Sequence, residues 1–273
     1  MIPKVIHYCW FGGNALPEAV LKCIESWRRN CPDYSIVEWN ESNYDINKHQ
    51  YVKEAYEAKK WAFVSDFARL DIIYNNGGVY LDTDVEVIRP IDEMLANDCF
   101  LAAETTGFVA TGLGFGAVKN NAIIKKLLDE YENAHFRLSS GQYDTMIPCP
   151  KRNTEPLSRM GYKYSEKDIW TAEGVTVFPP EYFCPIDYNT NQVKITDKTV
   201  SIHHYSGLWI SKEERDLNAA IEEMERKNGR IAAFFKRQKM KYDFEVKQQE
   251  VKNWFEYLYR KTTYKLYRII NKR

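Results

Sequence analysis

The chain lacks any apolar run approaching the roughly 18 residues of a membrane span, which argues against a bilayer-embedded core. It has no C-x-x-C pair. Its six cysteines (Cys9, Cys23, Cys31, Cys99, Cys149 and Cys184) are scattered, so they are expected to be reduced and packed rather than disulfide-bonded or zinc-binding. The first residues, MIPKVIHYCWFGG, show no basic start, long apolar stretch or small-residue cleavage site, so a cytoplasmic place is expected. No internal repeat or low-complexity segment stands out, which sets aside solenoids and disordered linkers. Net charge is also missing, with 38 Lys and Arg against 38 Asp and Glu.

That balance hides an asymmetry. From Arg230 to Arg273 there are 13 basic and 4 acidic residues, so the tail carries +9 and the rest of the chain −9. A basic tail on an acidic body suggests an anionic partner surface, and nothing in the pattern points to nucleic acid. The remaining composition, 44% hydrophobic and 28% charged over 273 residues, suits one large globular domain or a domain with an appendage.

The first ninety residues read as a compact α/β unit. KVIHYCWFGG is a strand closed by Gly-Gly, PEAVLKCIESWRRNCPDY is a helix between prolines, and SIVEWN is a second strand. Strand–helix–strand order within so short a span predicts a parallel sheet. WAFVSDFARLDIIYNNGG then gives a helix with Phe63, Phe67, Leu70, Ile73 and Tyr74 as its apolar stripe, followed by one strand, VYLDTDVEVI. From about 100 to 210 the order becomes irregular. Short strands are expected at FLAAE, GVTVFPP and KTVSIHHYS, a helix at NNAIIKKLLDEYENA, and loops over about 137–160. A single helix is expected over KEERDLNAAIEEMERKNGRIAAFFKR.

The stretch GGVYLDTDVEVI, residues 77–88, sets two aspartates one residue apart at the end of an apolar strand. Strands disfavour Asp, and buried carboxylates need compensation. If the backbone stays extended, Asp82 and Asp84 face the same spot, where a hard cation such as Mg²⁺ or Mn²⁺ would relieve their repulsion; a solvated strand end is the plainer reading. Asp66 and Arg69 share a face of the preceding helix, beside Ser65. They form either a structural ion pair or a grip on sugar hydroxyls. Trp10 closes the first strand, where ligands dock in open α/β sheets; it is either a core residue or a platform for a base. In SIHHYSGLW only one of His203 and His204 can face a given site. Gly112-x-Gly114-x-x-Ala117 imitates a dinucleotide fingerprint, yet it lies in mid-chain without a βαβ unit, so a glycine loop near a substrate is the better reading.

Taken together, IPKVIHYCWFGG, WAFVSDFARLDIIYNNGGVYLDTDVEVI and HHYSGLW resemble glycosyltransferase family 32, the D-x-D sugar transferases of capsular polysaccharide type. More distantly they resemble the glucosyltransferase domains of clostridial toxins. The resemblance is specific over residues 2–95, thinner over about 175–209 and slight between. It implies a GT-A fold, that is, a Rossmann-like mixed sheet flanked by helices in a single domain over 1–228. A basic amphipathic helical extension over 229–273 would follow. It also implies a nucleotide-sugar donor, expected to be a UDP-sugar, with Mn²⁺ (or Mg²⁺) as cofactor and retention at the anomeric carbon. Carried over by motif, Trp10 would stack on the donor base, and Asp66 and Arg69 would hold the sugar, with Ser65 and Tyr80 among the donor-binding residues. Asp82 would contact ribose or reach the metal through water, Asp84 would bind the metal, and His204 would be the C-terminal ligand, with His203 as the alternative.

The expected function is transfer of a hexose or N-acetylhexosamine to a saccharide or lipid-linked saccharide, with bacterial surface-polysaccharide synthesis as the setting. Two rivals stand beside it: a nucleotide-sugar hydrolase using the same site, and a membrane- or partner-binding module with a degenerate one. In the tail, Phe255, Tyr259, Thr262, Leu266 and Ile269 recur at spacings of four and three among basic residues. That is the pattern of a helix lying on an anionic membrane, here at the inner face; packing on the catalytic domain or a second subunit is the alternative.

Overall fold

The opening strand–helix–strand unit forms as its pattern predicts: β1 (Val5–Cys9), α1 (Glu18–Asn30) and β2 (Ser35–Trp39). The structure, a computed structural model, describes residues 1–139, 141–144, 147–186, 192–207, 212–229, 233–248, 251–259 and 261–262. Pro17 precedes α1, and Val20, Cys23, Ile24 and Trp27 form its buried side. After α2 (Gln50–Glu57) and α3 (Trp61–Asn76) come β3 (Gly78–Tyr80), β4 (Val85–Val87) and β5 (Cys99–Ala102). β6 (Phe115–Ala117), α4 (Ala122–Asp129), α5 (Cys149–Arg159), β7 (Trp170–Ala172) and β8 (Val175–Phe178) follow. The described chain ends with α6 (Pro180–Phe183), β9 (Ser201–His203), α7 (Lys212–Asn228), α8 (Phe234–Lys247) and a helical stretch at 254–259.

Seven strands make one mixed sheet in the order β2-β1-β3-β6-β5-β8-β7. β1, β2 and β3 are mutually parallel; β6 runs against both β3 and β5; β8 lies parallel to β5, and β7 opposes β8. The carboxyl ends of β1, β3, β5 and β8 therefore share one edge. Helices cover both faces. One core gathers side chains of α2, α3, α4 and α5, including Phe67, Leu70, Ile73, Ile124 and Leu157. The other gathers α1, α6 and β4, including Val20, Trp27, Val85 and Phe183. This is the α/β architecture expected for a GT-A fold, with a helical C-terminal region.

Four local expectations need correction. The predicted strand 79–88 is two strands, because the chain leaves the main sheet after Tyr80, turns at Asp82 (Val85 N–H to Asp82 C=O, 3.0 Å) and pairs β4 with β9 in a separate ribbon. The 137–160 stretch contains α5, whose apolar side chains are sparse, so its helical period was faint. The long predicted helix over 212–237 is interrupted, α7 ending at Asn228 before Gly229 at φ +77°. Finally, α3 is buried on more than the predicted stripe, taking in Val64, Ala68 and Ile72, since α2, α4 and the sheet enclose it.

Two devices fix the segment that carries the aspartates. The first is the Gly77-Gly78 link from α3 to β3. The Gly77 N–H caps the Ile73 carbonyl at 2.8 Å, and a Cβ on Gly78 would come within 2.8 Å of His7 Nε2 and the Val5 carbonyl. The second is α1, whose side chains act as a neighbouring strand for β4. Trp27 Nε1 donates to the Val85 carbonyl (2.7 Å), Asn30 Nδ2 donates to the Val87 carbonyl (2.8 Å), and the Val87 N–H donates to Ser26 Oγ (3.0 Å).

His7 sits under the glycine link with both ring nitrogens engaged, Nε2 at 3.0 Å from the Gly77 carbonyl and Nδ1 accepting from Trp39 Nε1 at 3.0 Å. Burial lowers its pKa from 6.5 to about 4, against the Gly77 bond, which raises it. A depressed histidine pKa means that protons prefer the unfolded chain. Its contribution is complete above pH 6.5 and is lost as pH falls toward about 4. A full shift of this size corresponds to roughly 3 kcal/mol. Denaturant titrations of wild type and His7→Gln across that range should show a shallower pH slope for the variant; parallel slopes would contradict the assignment.

Candidate active site

Asp82 lies two residues beyond β3, Trp10 one beyond β1 and Thr111-Gly112 just before β6, so all four residues meet at the shared edge of the sheet. From the helical side α3 delivers Asp66 and Arg69. The Arg69 guanidinium, 6% exposed, is 2.9 Å from Asp66 Oδ1 and 3.4 Å from Asp82 Oδ1. Its Nε donates to the Ser65 carbonyl (3.0 Å), and it stands over the Tyr80 ring at 5.3 Å. Tyr80 itself is 1% exposed, so it acts on the site through Arg69, while Ser65 Oγ donates back to the Trp61 carbonyl. Burial pushes the Asp66 carboxyl up to about 6, with Arg69 pulling it down and Asp82 adding repulsion. Burial also raises Asp82, again opposed by Arg69 and reinforced by Asp84.

Asp84 turns toward β9 and the residues that follow it. Its Oδ1 is 3.2 Å from His203 Nε2, and its Oδ2 accepts from the Ser206 N–H and Oγ–H, both at 2.9 Å. Burial works to raise this carboxyl, but the His203 and Ser206 hydrogen bonds outweigh it and hold it below the usual carboxylate range. Burial would lower His203, yet the Asp84 bond and charge raise it overall. Asp82, Asp84 and His203 each offer one ligand atom, all within 4.8 Å of one another. Two carboxylate oxygens and an imidazole nitrogen form a donor set that suits Mn²⁺ and can serve Mg²⁺, so the residues present fit a divalent cation.

The expected histidine is corrected. In the β4–β9 ribbon Val85 pairs with His203, and strand alternation sends His204 to the face of Glu86, 2.9 Å from its carboxylate. Only the register could decide this, since adjacent histidines are equivalent in the sequence. Trp10 is half-buried at the edge, its Nε1 donating to the Asn14 carbonyl (2.6 Å). Trp209 lies outside the described residues.

Of the supporting residues, Gly112 reads in the sequence as part of a glycine loop near a substrate, while Thr111, Cys149, Asn153 and Ser206 carry no signal that ties them to the site. A Cβ on Gly112 would fall 2.2 Å from Asp82 Oδ2 and 3.1 Å from an Arg69 nitrogen, so this position needs glycine for close approach. The loop thus lies against the site, and it enters the antiparallel strand β6 rather than a helix, which removes the dinucleotide reading. Behind it, Asn153 Nδ2 donates to Thr111 Oγ1 (3.0 Å) and to Cys149 Sγ (3.2 Å), and the Cys149 thiol helps to hold the Asp66 carboxyl down against the effect of burial. All six cysteines are buried and free, as expected.

Residues 17–101 match the model of a family described as glycosyltransferase sugar-binding region containing DXD motif. The chain is 25% identical over 189 residues to inositol phosphoceramide mannosyltransferase 1 of Schizosaccharomyces pombe (65% of this chain, 56% of that protein). It is 26% identical over 182 residues to human alpha-1,4-N-acetylglucosaminyltransferase (62% and 51%). The chain thus spans about half the length of each. Among solved structures it is similar to PaToxG glycosyltransferase, with TM-score 0.43, 20% identity, and 58% and 70% of the two chains covered. The matched region, which takes in α3 and the D-x-D segment, is similar to the sugar-binding region of D-x-D glycosyltransferases. Both curated relatives are themselves glycosyltransferases, and the likeness to them is of the family 32 kind.

Arg69 compensates two carboxylates in a buried setting, so its removal leaves charge without a partner. Arg69→Ala is expected to cost about 3–5 kcal/mol, read as a lower denaturation midpoint in urea. A change under about 1 kcal/mol, the scale of an exposed pair, would mean that the pair is not buried in solution.

Proposed function

We propose that this chain transfers a hexose or N-acetylhexosamine from a nucleotide-sugar donor, a UDP-sugar, to a saccharide hydroxyl with retention at the anomeric carbon. The observation that carries the reading is the meeting of Asp82, Asp84 and His203 with the Asp66–Arg69 pair at one sheet edge. Asp66 accepts from donor-sugar hydroxyls and Arg69 donates to them. Trp10 stacks on the base. Asp82, Asp84 and His203 would hold Mn²⁺ (or Mg²⁺), and a cation held there would supply charge neutralisation for the diphosphate leaving group. Tyr80, Gly112 and Ser206 keep these groups in place.

The deciding experiment is a panel of UDP- and GDP-sugars with Mn²⁺, read by nucleotide release with and without saccharide acceptors. Stimulation by an acceptor separates transfer from hydrolysis. Asp84→Ala should lower turnover at least a hundredfold while the circular dichroism spectrum and melting curve stay those of a folded protein. Retention of most activity would sink the metal assignment.

We also propose that the basic tail holds the enzyme at an anionic membrane surface, where a lipid-linked acceptor would be found. Trp254 and Tyr257 pack on Tyr242 of α8, while Phe255 (84% exposed) and Tyr259 (65% exposed) point outward between Lys252 and Lys261. Thr262 continues the stripe, its Oγ1 donating to the Leu258 carbonyl (2.9 Å), and Leu266 and Ile269 lie outside the described residues. No helix among the described residues is long and apolar enough to cross a membrane. Each basic residue near such a surface is worth about 1 kcal/mol. The full chain should therefore sediment with phosphatidylserine vesicles in a salt-sensitive way, and a chain ending at Gln249 should not. Equal behaviour of the two would reject the tail's role.

A further inference from the structure

Glu104 is a carboxylate at the active edge that none of the roles above uses. It lies two residues beyond β5, as Asp82 lies two beyond β3, and the two strands run the same way on either side of β6. The edge is thereby divided. Trp10 and the paired aspartates occupy the β1–β3 half, and Glu104 lies on the β5–β8 half. Phe100 and Ala102 of β5 face the core shared with α6 and β4. Continuing that alternation, Glu104 falls on the side of the sheet from which His203 approaches. Across the same side lie Cys184, within the core that Phe100 and Ala102 face, and Tyr205, packed against that core. Cys184 in turn contacts the Tyr205 hydroxyl (3.0 Å), and the Tyr205 ring packs edge-on against His203 (4.1 Å). Glu104 thus stands at the same edge as the proposed cation site, on the half away from the base platform.

Its placement is also rigid. The Glu104 N–H donates to the Phe108 carbonyl (2.8 Å), its own carbonyl accepts from the Gly107 N–H (3.0 Å), and Thr106 Oγ1 donates to Oε2 (2.8 Å). A half-buried carboxylate held in a tight turn has little rotamer freedom left to lose when it accepts a hydroxyl.

We propose that Glu104 is an acceptor-binding residue, accepting a hydrogen bond from a hydroxyl of the saccharide that receives the sugar. This rests on the glycosyltransferase reading above. A donor nucleotide spread over β1 and β3, with its diphosphate at Asp82, Asp84 and His203, leaves the β5–β8 half of the edge for the second substrate. A carboxylate there is acceptor-only, which selects hydroxylated ligands. Glu104 orients the acceptor without itself making or breaking a bond.

The test measures binding of methyl glycosides of glucose, galactose, mannose and N-acetylglucosamine by saturation-transfer NMR, with UDP and Mg²⁺ present. Wild type should bind at least one of them saturably. Glu104→Gln, which keeps the size but turns one acceptor oxygen into a donor, should weaken that binding at least fivefold with UDP affinity and melting temperature unchanged. Equal glycoside binding by wild type and variant overturns the proposal, as does absence of binding in wild type. A loss of glycoside binding accompanied by lost UDP affinity or a lowered melting temperature overturns it as well, since the turn would then be structural. Nucleotide release by wild type with Mn²⁺, measured separately, tells the two failures apart. Metal-dependent release with no effect of Glu104→Gln leaves the transferase reading intact and removes only Glu104. No release from any donor removes the transferase reading itself.

Discussion

The site depends on one buried cation. Arg69 is fixed in α3 with its guanidinium between Asp66 and Asp82, and each of the three would be costly to bury alone. The arrangement is enforced from several directions. The Ser65 carbonyl accepts from Nε, the Tyr80 ring lies beneath the guanidinium, and Gly112 closes over Asp82 at a distance no side chain could share. Thr111, Cys149 and Asn153 form a second polar layer behind Asp66. The two aspartates of the D-x-D motif consequently live in different surroundings. Asp82 is compensated chiefly by Arg69, with His203 4.0 Å away, and Asp84 by His203 and Ser206. Their carboxyls are driven in opposite directions, Asp82 up and Asp84 down.

That division follows from a change of sheet. Had VYLDTDVEVI remained one strand, both aspartates would project from one face of a continuous ladder. The chain instead turns at Asp82 and enters the β4–β9 ribbon, which brings in a histidine about 120 residues later in the sequence. The turn is held by α1, whose Trp27, Ser26 and Asn30 satisfy the free edge of β4. A helix remote from the chemistry thus sets where the second aspartate stands.

Much of this was legible in the residues. Asp66, Arg69, Asp82 and Asp84 each break an apolar pattern, and a polar group in such a place needs a reason. The Gly77-Gly78 pair announced a tight connection, and the isolated cysteines announced a packed, reduced core. Gly112 reads only as part of a glycine loop near a substrate. The rest of the site's supporting shell was silent for a physical reason: Thr111, Cys149, Asn153 and Ser206 are ordinary residues for turns and helix starts, and nothing local ties them to the site. Glu104 was hidden in the same way, at the end of the short apolar run FLAAE.

The sequence by itself determined the α/β order, the parallel β1–β3 unit and the presence of charged groups at strand and helix positions that water alone would not explain, because periodicity and residue chemistry act over a few neighbours. The tertiary structure decided which of two adjacent histidines meets the aspartates, that the D-x-D strand breaks in two, and that the glycine loop closes over Asp82. Those outcomes depend on strand register and on contacts between segments far apart in the chain, and such long-range pairing leaves no trace in the local pattern.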